Sequence, residues 1–329
     1  NSFVLGNNVT TTQANSVVLG NLSTDRAATT VTGATIGGTA YTFAGAGSVA
    51  NGVVSVGGVG TERQIINLAA GALSATSTDA VNGSQLFATN QAISAAQTHY
   101  YSVNDGGVIG GNYNNNGATG VNALAAGVSA LASGDKSVAL GFDANAVKAN
   151  NIAIGASSYA NSNETAGNSM SAVAIGLGAQ AFNSTATGIT AAVAIGQGAI
   201  AKSTSGTGTS PVAIGVSSDA SGAGSQVAIG DQAKAFGTDA IAIGGHAFST
   251  GAQATGDQST AIGQSALATS QGAIALGFEV KALGKNSIAL GSSAQAIGDS
   301  SIAIGINSTV SGSRSGALGD PNTVSGSGS

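Results

Sequence analysis

His99 and His246 are the only two imidazoles in the chain, and cysteine is absent. Nucleophile–base pairs and thiolate metal sites therefore have almost nothing to be built from. His246 follows Ile243-Gly244 with no neighbouring carboxylate or second histidine, which leaves neither a metal set nor a triad. His99, beside Tyr100 and Tyr101, suits a small aromatic cap better than a ligand role. Asp and Glu are scattered singly, so general acid–base work has no platform. The many Gly-rich phrases are not phosphate loops, because none opens a helix and no Gly-Lys-Ser/Thr follows. What remains is the chemistry of amides and hydroxyls. The run Asn112–Asn116 could hydrogen-bond sugar or protein at an exposed tip, or be an ordinary polar loop. The sequence points to non-covalent binding without a cofactor, and not to an enzyme.

Composition narrows the class further. Of 329 residues, 52 are Gly, 42% are hydrophobic and only 4% are aromatic, with no Trp to anchor a thick core. Charged residues make up 7%, against roughly 25% in ordinary globular domains. A net charge of -5 with no basic stretch argues against nucleic acid as a partner. Disorder goes with low hydrophobicity and high net charge, and both are reversed here. No signal peptide is visible at Asn1 and no apolar run of 18 or more residues is present. The expectation is a fragment without whatever exports or anchors it.

The elements that must present any binding groups follow from an internal repeat. A short apolar phrase ending in Gly recurs, as in Val138-Ala139-Leu140-Gly141 and Ile152-Ala153-Ile154-Gly155, and from Gly263 to Gly319 it returns every 14 residues. The same phrase closes at Gly6 and Gly20. A second Gly often falls seven residues later, as at Gly284, Gly298 and Gly312. Two half-periods of seven, each a short strand and a turn, make one coil of a parallel β-roll. Glycine is expected to supply the positive φ of the turns. Alternation in Ile288-Ala289-Leu290 puts the branched residues on one face and Ala on the other. Parity does not say which face is which. The expectation is that the branched pair fills the roll while Ala, at positions such as Ala289 and Ala303, packs against sister chains.

Some coils are longer. Gly155 to Gly176 spans 21 residues, Gly176 to Gly196 spans 20, and Gly196 to Gly215 spans 19. The surplus follows the seven-residue turn, at Asn161–Met170, Asn183–Thr190 and Ser203–Ser210, and the coil from Gly244 is expected to repeat the pattern around Gln253–Gln258. Insertions at one turn stack as loops along one edge, either a binding edge or simply a tolerant one. Asn161, Asn163, Glu164, Asn183, Thr187, Lys202 and Thr207 are the candidate ligand-facing residues of that edge.

Residues 21–98 break the period. Thr29–Phe43, with Gly37-Gly38 in its middle, predicts a hairpin. Val53–Val56 and Arg63–Ile66 predict short strands. Ser77-Thr78-Asp79 offers N-cap side chains ahead of a helix over Ala80–Ala96, whose Val81, Leu86 and Ile93 lie roughly on one face. One such helix is marginal, but three wound together would begin a coiled coil. Arg63, next to Glu62, is expected to pair with a neighbouring chain near a threefold axis.

Here a resemblance emerges. Val56-Gly57, Thr61–Ile65 and Thr78-Asp79-Ala80-Val81-Asn82-Gly83-Ser84-Gln85-Leu86 resemble the neck of trimeric autotransporter adhesins. Asn286–Gly291 and its repeats resemble the YadA-like head, Gly319-Asp320-Pro321-Asn322 resembles a phrase near the base of such heads, and Tyr41–Gly57 resembles the insertion of the longer neck type. The resemblance implies an all-β, left-handed parallel β-roll homotrimer, with a small β/α neck leading into a short coiled coil. It further implies display from the bacterial outer membrane and attachment to extracellular matrix protein, host cells or abiotic surfaces. Neck contacts between chains would involve Arg63, Gln64, Asp79, Asn82 and Leu86. The expected divisions are 1–20, the closing coils of a head; 21–60, the neck insertion and neck start; 61–98, neck and stalk start; and 99–329, a head. Because a neck precedes most head coils, the parent carries tandem units or the order is a cyclic shift of one unit. The coil from Gly319 round to Gly6 nearly keeps the period, which favours the shift. An ice-binding solenoid would need regular outward Thr ranks, and a polysaccharide lyase clustered Asp, Lys or Arg; the chain shows neither.

Overall fold

A computed structural model describes residues 1–95, 102–162, 171–183, 191–204, 209–246 and 250–329. The chain forms two compact units, Asn1–Ser102 and Val103–Ser329.

The larger unit is a parallel roll. Each coil contributes a strand of the type Ile288–Leu290 and, after a four-residue turn, one of the type Gln295–Ala296. Equivalent strands of successive coils pair in parallel and in register, Ile274 with Ile288 and Ile288 with Ile302. Among the described residues this builds two thirteen-stranded sheets, one from each strand type, each running the length of the unit.

The interior reverses the expected assignment of faces. Ala289 and Ala303 are fully buried within their own chain, as are Ser287, Ala294 and Ala296. They cannot be contacts with a sister chain. The branched residues face outward, with Leu290 41% and Ile302 42% exposed. The cause is the brevity of the coil. Ordinary sheets stack about 10 Å apart over large side chains, and half-turns of seven residues leave room mostly for Ala and Ser between the strands.

The glycines that close the apolar phrase take positive φ as expected, Gly277 at 140°, Gly291 at 123° and Gly305 at 130°. Most half-turns also hold a non-glycine residue in the left-handed region, for example Glu279 at φ 52°, Asn286 at 54° and Ser293 at 55°, while Gly178, Gly198 and Gly272 take that place in others. Asn and Ser tolerate this conformation by bonding locally. Gly284 is needed for another reason, since a Cβ there would sit 2.1 Å from the carbonyl oxygen of Gly298 in the next coil.

Aspartates staple the coils along one edge. Asp135 accepts the backbone N–H of Val121 (2.9 Å), Asp239 that of Ser225 (2.8 Å), Asp257 that of Thr238 (2.8 Å) and Asp299 that of Lys285 (2.9 Å). The N–H of Thr238 holds the Asp257 carboxyl below its ordinary range, with its hydroxyl adding to the effect. A folded-state value below the unfolded one means the contribution is complete above the unfolded value and lost as pH falls through the folded one. The melting temperature of the roll is therefore expected to stay level from neutrality to about pH 5 and to drop below about pH 4. A melting temperature unchanged down to pH 2 would show that the Asp257 carboxylate does not hold its coils.

The smaller unit begins with β1 (Phe3–Leu5) and β2 (Val17–Leu19), paired in parallel with the same 14-residue offset. The chain then leaves the sheet for the predicted hairpin, β3 (Gly33–Ile36) and β4 (Thr39–Thr42), antiparallel across Gly37-Gly38. It returns as β5 (Val54–Ser55) beside β2. Arg63–Ile66, expected as a strand, pairs with nothing, and residues 61–82 run without helix or sheet.

Helix α1 covers Gly83–Ala95 and begins later than the sequence suggested. Its cap is Asn82, not Ser77-Thr78-Asp79. The Asn82 side chain accepts the N–H of Gln85 (3.3 Å), and the Gln85 side chain accepts the N–H of Asn82 (3.2 Å). This reciprocal pair is a capping box with Asn and Gln in the two roles.

Candidate binding surface

The two sheets present different outer faces. Outward positions of the first sheet are Val, Ile or Leu in nearly every coil, as at Val138, Leu140, Ile274, Leu276 and Ile288. Outward positions of the second sheet are largely polar, including Tyr159, Gln180, Asp219, Lys234, Lys281 and Gln295. An apolar ladder suits burial against protein, whereas the polar one can remain in water and meet a ligand.

On the polar face, three neighbouring coils bring together an amide, aromatic rings and a cation. Asn161 donates to the Tyr159 hydroxyl (2.9 Å), the Tyr159 and Phe182 rings meet edge-on at 5.9 Å, and the Lys202 ammonium lies 5.4 Å from the Phe182 ring centre. Two of the predicted edge residues, Asn161 and Lys202, thus flank one cluster. Asn183 closes the strand Gln180–Asn183, its backbone in register with Ser203. Asn163, Glu164, Thr187 and Thr207 lie outside the described residues, as do His99, Tyr100 and Tyr101.

Interior side chains hold the bases of these loops. Asn151, fully buried, donates to the carbonyl of Ala160 (3.0 Å) and accepts from the Ser162 hydroxyl (2.9 Å) and the Ala172 N–H (2.8 Å). One amide so joins both stems of the first loop. The hydroxyls of Ser203 and Thr209 do the same for the third. Sequence reasoning singled out neither; the signal was Asn151 occupying a position that is Ser or Ala in most coils.

The surplus in the coil from Gly244 falls elsewhere than expected. Gln253–Ala254 is itself a strand, and the extra residues lie before it, between Ile243 and Gln253. The turn is pinched shut by Ala252 N–H donating to the Gly244 carbonyl (2.8 Å). Asn112, first of the Asn-rich run, is turned inward, its side chain accepting from Gly117 N–H (2.8 Å) and donating to Ala125 and Gly127 carbonyls (both 3.3 Å).

In the neck, Arg63 is committed to its own chain, which corrects the expected pairing between chains. Its guanidinium donates to the Ser23 hydroxyl (3.0 Å) and to the carbonyls of Val56 (2.7 Å) and Asn21 (2.6 Å). Glu62 instead accepts from Gly60 N–H (3.0 Å). Three acceptors in three directions need a planar fork, which an ammonium cannot imitate. Arg63→Lys is therefore expected to cost about 1–2 kcal/mol and to speed hydrogen exchange at Val17–Leu19 and Val54–Ser55. Unchanged exchange there would remove the stapling role. Asp79 accepts from Ala72 N–H (2.9 Å), and Asn82 donates to the Leu68 carbonyl (3.1 Å). Gln64 and Leu86 are exposed. Gln85 bonds both backbone groups of Gly71, at 2.7 and 3.1 Å, folding the neck onto the helix start.

Segments of the chain match two known families. Residues 64–109 match the coiled stalk of trimeric autotransporter adhesins. Residues 118–144, 227–247, 254–279, 282–308 and 296–320 match the YadA head domain repeat. The autotransporter adhesin BtaE of Brucella suis biovar 1 (strain 1330) is 61% identical over 61 residues, which are 18% of this chain and 8% of that protein. The chain thus aligns with under a tenth of that curated relative. The C-terminal YadA-like domain of BPSL2063 from Burkholderia pseudomallei is 45% identical over 29% of this chain and 44% of that one, with a TM-score of 0.27. The family is adhesive and non-enzymatic, its members form homotrimers, and they are displayed on the bacterial cell surface. By its head repeats and its stalk segment, this chain is similar to the trimeric autotransporter adhesins.

Proposed function

We infer that this chain works as a homotrimeric attachment module, holding a bacterial surface to matrix protein, host cells or abiotic material. The observation that carries the reading is the apolar surface one chain leaves uncovered. In the neck and helix, Ile65, Ile66, Leu86 and Ile93 are 67%, 73%, 58% and 63% exposed, and α1 buries no residue at all. A lone thirteen-residue helix that buries none of its described residues is marginal in water. The outer ladder of the first sheet adds a second apolar strip. Covering both with two further copies leaves the polar second sheet and the loop-bearing edge facing solvent, where a ligand would meet them. In this reading residues 1–20 are closing head coils, 21–60 the neck insertion and neck start, 61–98 neck and stalk start, and 99–329 a head.

Light scattering during size exclusion tests the assembly. A mass of three chains supports it; a stable, soluble monomer overturns it. Beads coated with the trimer should then bind to immobilised matrix protein or cultured cells more than beads coated with an unrelated trimer, and equal retention would sink the adhesive role.

A further inference from the structure

The polar face of the second sheet carries a groove of about 330 Å3, away from the aromatic cluster and its loops. Its floor is one outward row of four successive strands, Gln253, Leu267, Lys281 and Gln295, paired in register. Glu279 forms part of one wall. Thr250 is also part of the lining, its carbonyl accepting from the Ser265 hydroxyl at 3.1 Å. Thr250 belongs to the coil whose surplus falls on the turn opposite to that used by the other long coils, so the displaced insertion supplies one boundary of this groove.

The side chains of the floor are idle in a specific way. Among the described residues, those of Gln253, Glu279, Lys281 and Gln295 make no hydrogen bond or ion pair, although all border the same space. Elsewhere on the roll, polar groups are put to use on neighbouring coils, as the aspartate staples are. Two amides, each able to donate and to accept, are separated by three strand spacings, about 14 Å. Leu267 lies between them as the one apolar platform. Glu279 and Lys281 nearly cancel, so the groove has no net field to favour a polyanion or a polycation.

We propose that this groove binds a neutral oligosaccharide carrying acetamido groups. An acetamide offers one N–H and one C=O, the complement of a glutamine side chain, and its methyl can rest on Leu267. Lys281 and Glu279 serve hydroxyls as donor and acceptor. Such shallow polar sites bind weakly one at a time, and three copies on one trimer would raise the effective affinity through multivalency. The proposal rests on the attachment reading above and adds a ligand class to it.

Saturation-transfer NMR of the whole chain with chitotriose is the direct test, with a heparin tetrasaccharide as the acidic comparison. Chitotriose is expected to receive saturation mainly at its acetamido methyls, and Gln253→Ala with Gln295→Ala to weaken it at least tenfold. The melting temperature and solution mass of that variant should stay as in the parent. Leu267→Gln is a second variant, expected to abolish the methyl signal selectively. No saturation of chitotriose at millimolar concentration, preference for the heparin fragment, or binding indifferent to both variants would each overturn the proposal. Should the trimer adhere to cells or matrix while ignoring chitotriose, the sugar assignment falls and the attachment reading stands. Should it bind neither, both fall.

Discussion

Replacing Ala289 by leucine is expected to unfold the roll around its coil, at a cost of about 3 kcal/mol. Ala289 is fully buried between Ala275 and Ala303, its in-register partners, which are buried as completely. Its in-register neighbours are already alanine, so neither can shrink to make room. Close-packed interiors resist even one added methylene, and leucine adds three carbons. Thermal unfolding by circular dichroism would show a large drop in the melting temperature, with loss of strand signal. The opposite arrangement, in which alanine faces a sister chain, makes a different forecast. There the variant would dissociate into monomers that keep their strands, so dichroism and solution mass together separate the two cases.

The outer ladder gives the second large effect. Leu290→Asp together with Ile302→Asp is expected to reduce the solution mass from three chains to one while the coil interior stays intact. Each aspartate would have to be buried unpaired between copies, costing several kcal/mol, and the trimer repeats that cost three times. In the separated chain both carboxylates would simply face water. A trimer that survives the double variant would mean that the apolar ladder of the first sheet is not where the copies meet.

Much of the architecture is legible because glycine and alanine punctuate it. The 14-residue spacing of Gly277, Gly291 and Gly305 is a backbone requirement, and it places every strand within a residue or so. Sidedness was not legible. In Ile288-Ala289-Leu290 the period of two is symmetrical, and the ordinary rule that large apolar residues go inside favours the wrong face. The rule fails because the space between the strands is set by turn length, which composition does not announce. The hairpin at Gly37-Gly38 was readable from turn chemistry, whereas the path of residues 61–82 was not, since a segment held by side-chain hydrogen bonds and not by strand pairing has no local pattern. Arg63 shows the same limit. Its three acceptors lie at Asn21, Ser23 and Val56, and only the fold brings them together. The idle glutamines of the groove are ordinary in sequence as well, because what marks them is the absence of partners in space.

The narrow interior also makes length the easiest property of this molecule to change. The set Ser287, Ala289, Ala294 and Ala296 is followed one coil later by Ser301, Ala303, Ser308 and Val310, all buried, so one cross-section nearly superposes on the next. Recombination between two such repeats can add or remove a whole coil without creating a cavity or a clash. Each exchange would shift the reach of the rod by a single strand spacing, about 4.8 Å. A lineage carrying such a gene can therefore adjust how far its surface extends in small, equal steps, while the groups on the outer faces change independently.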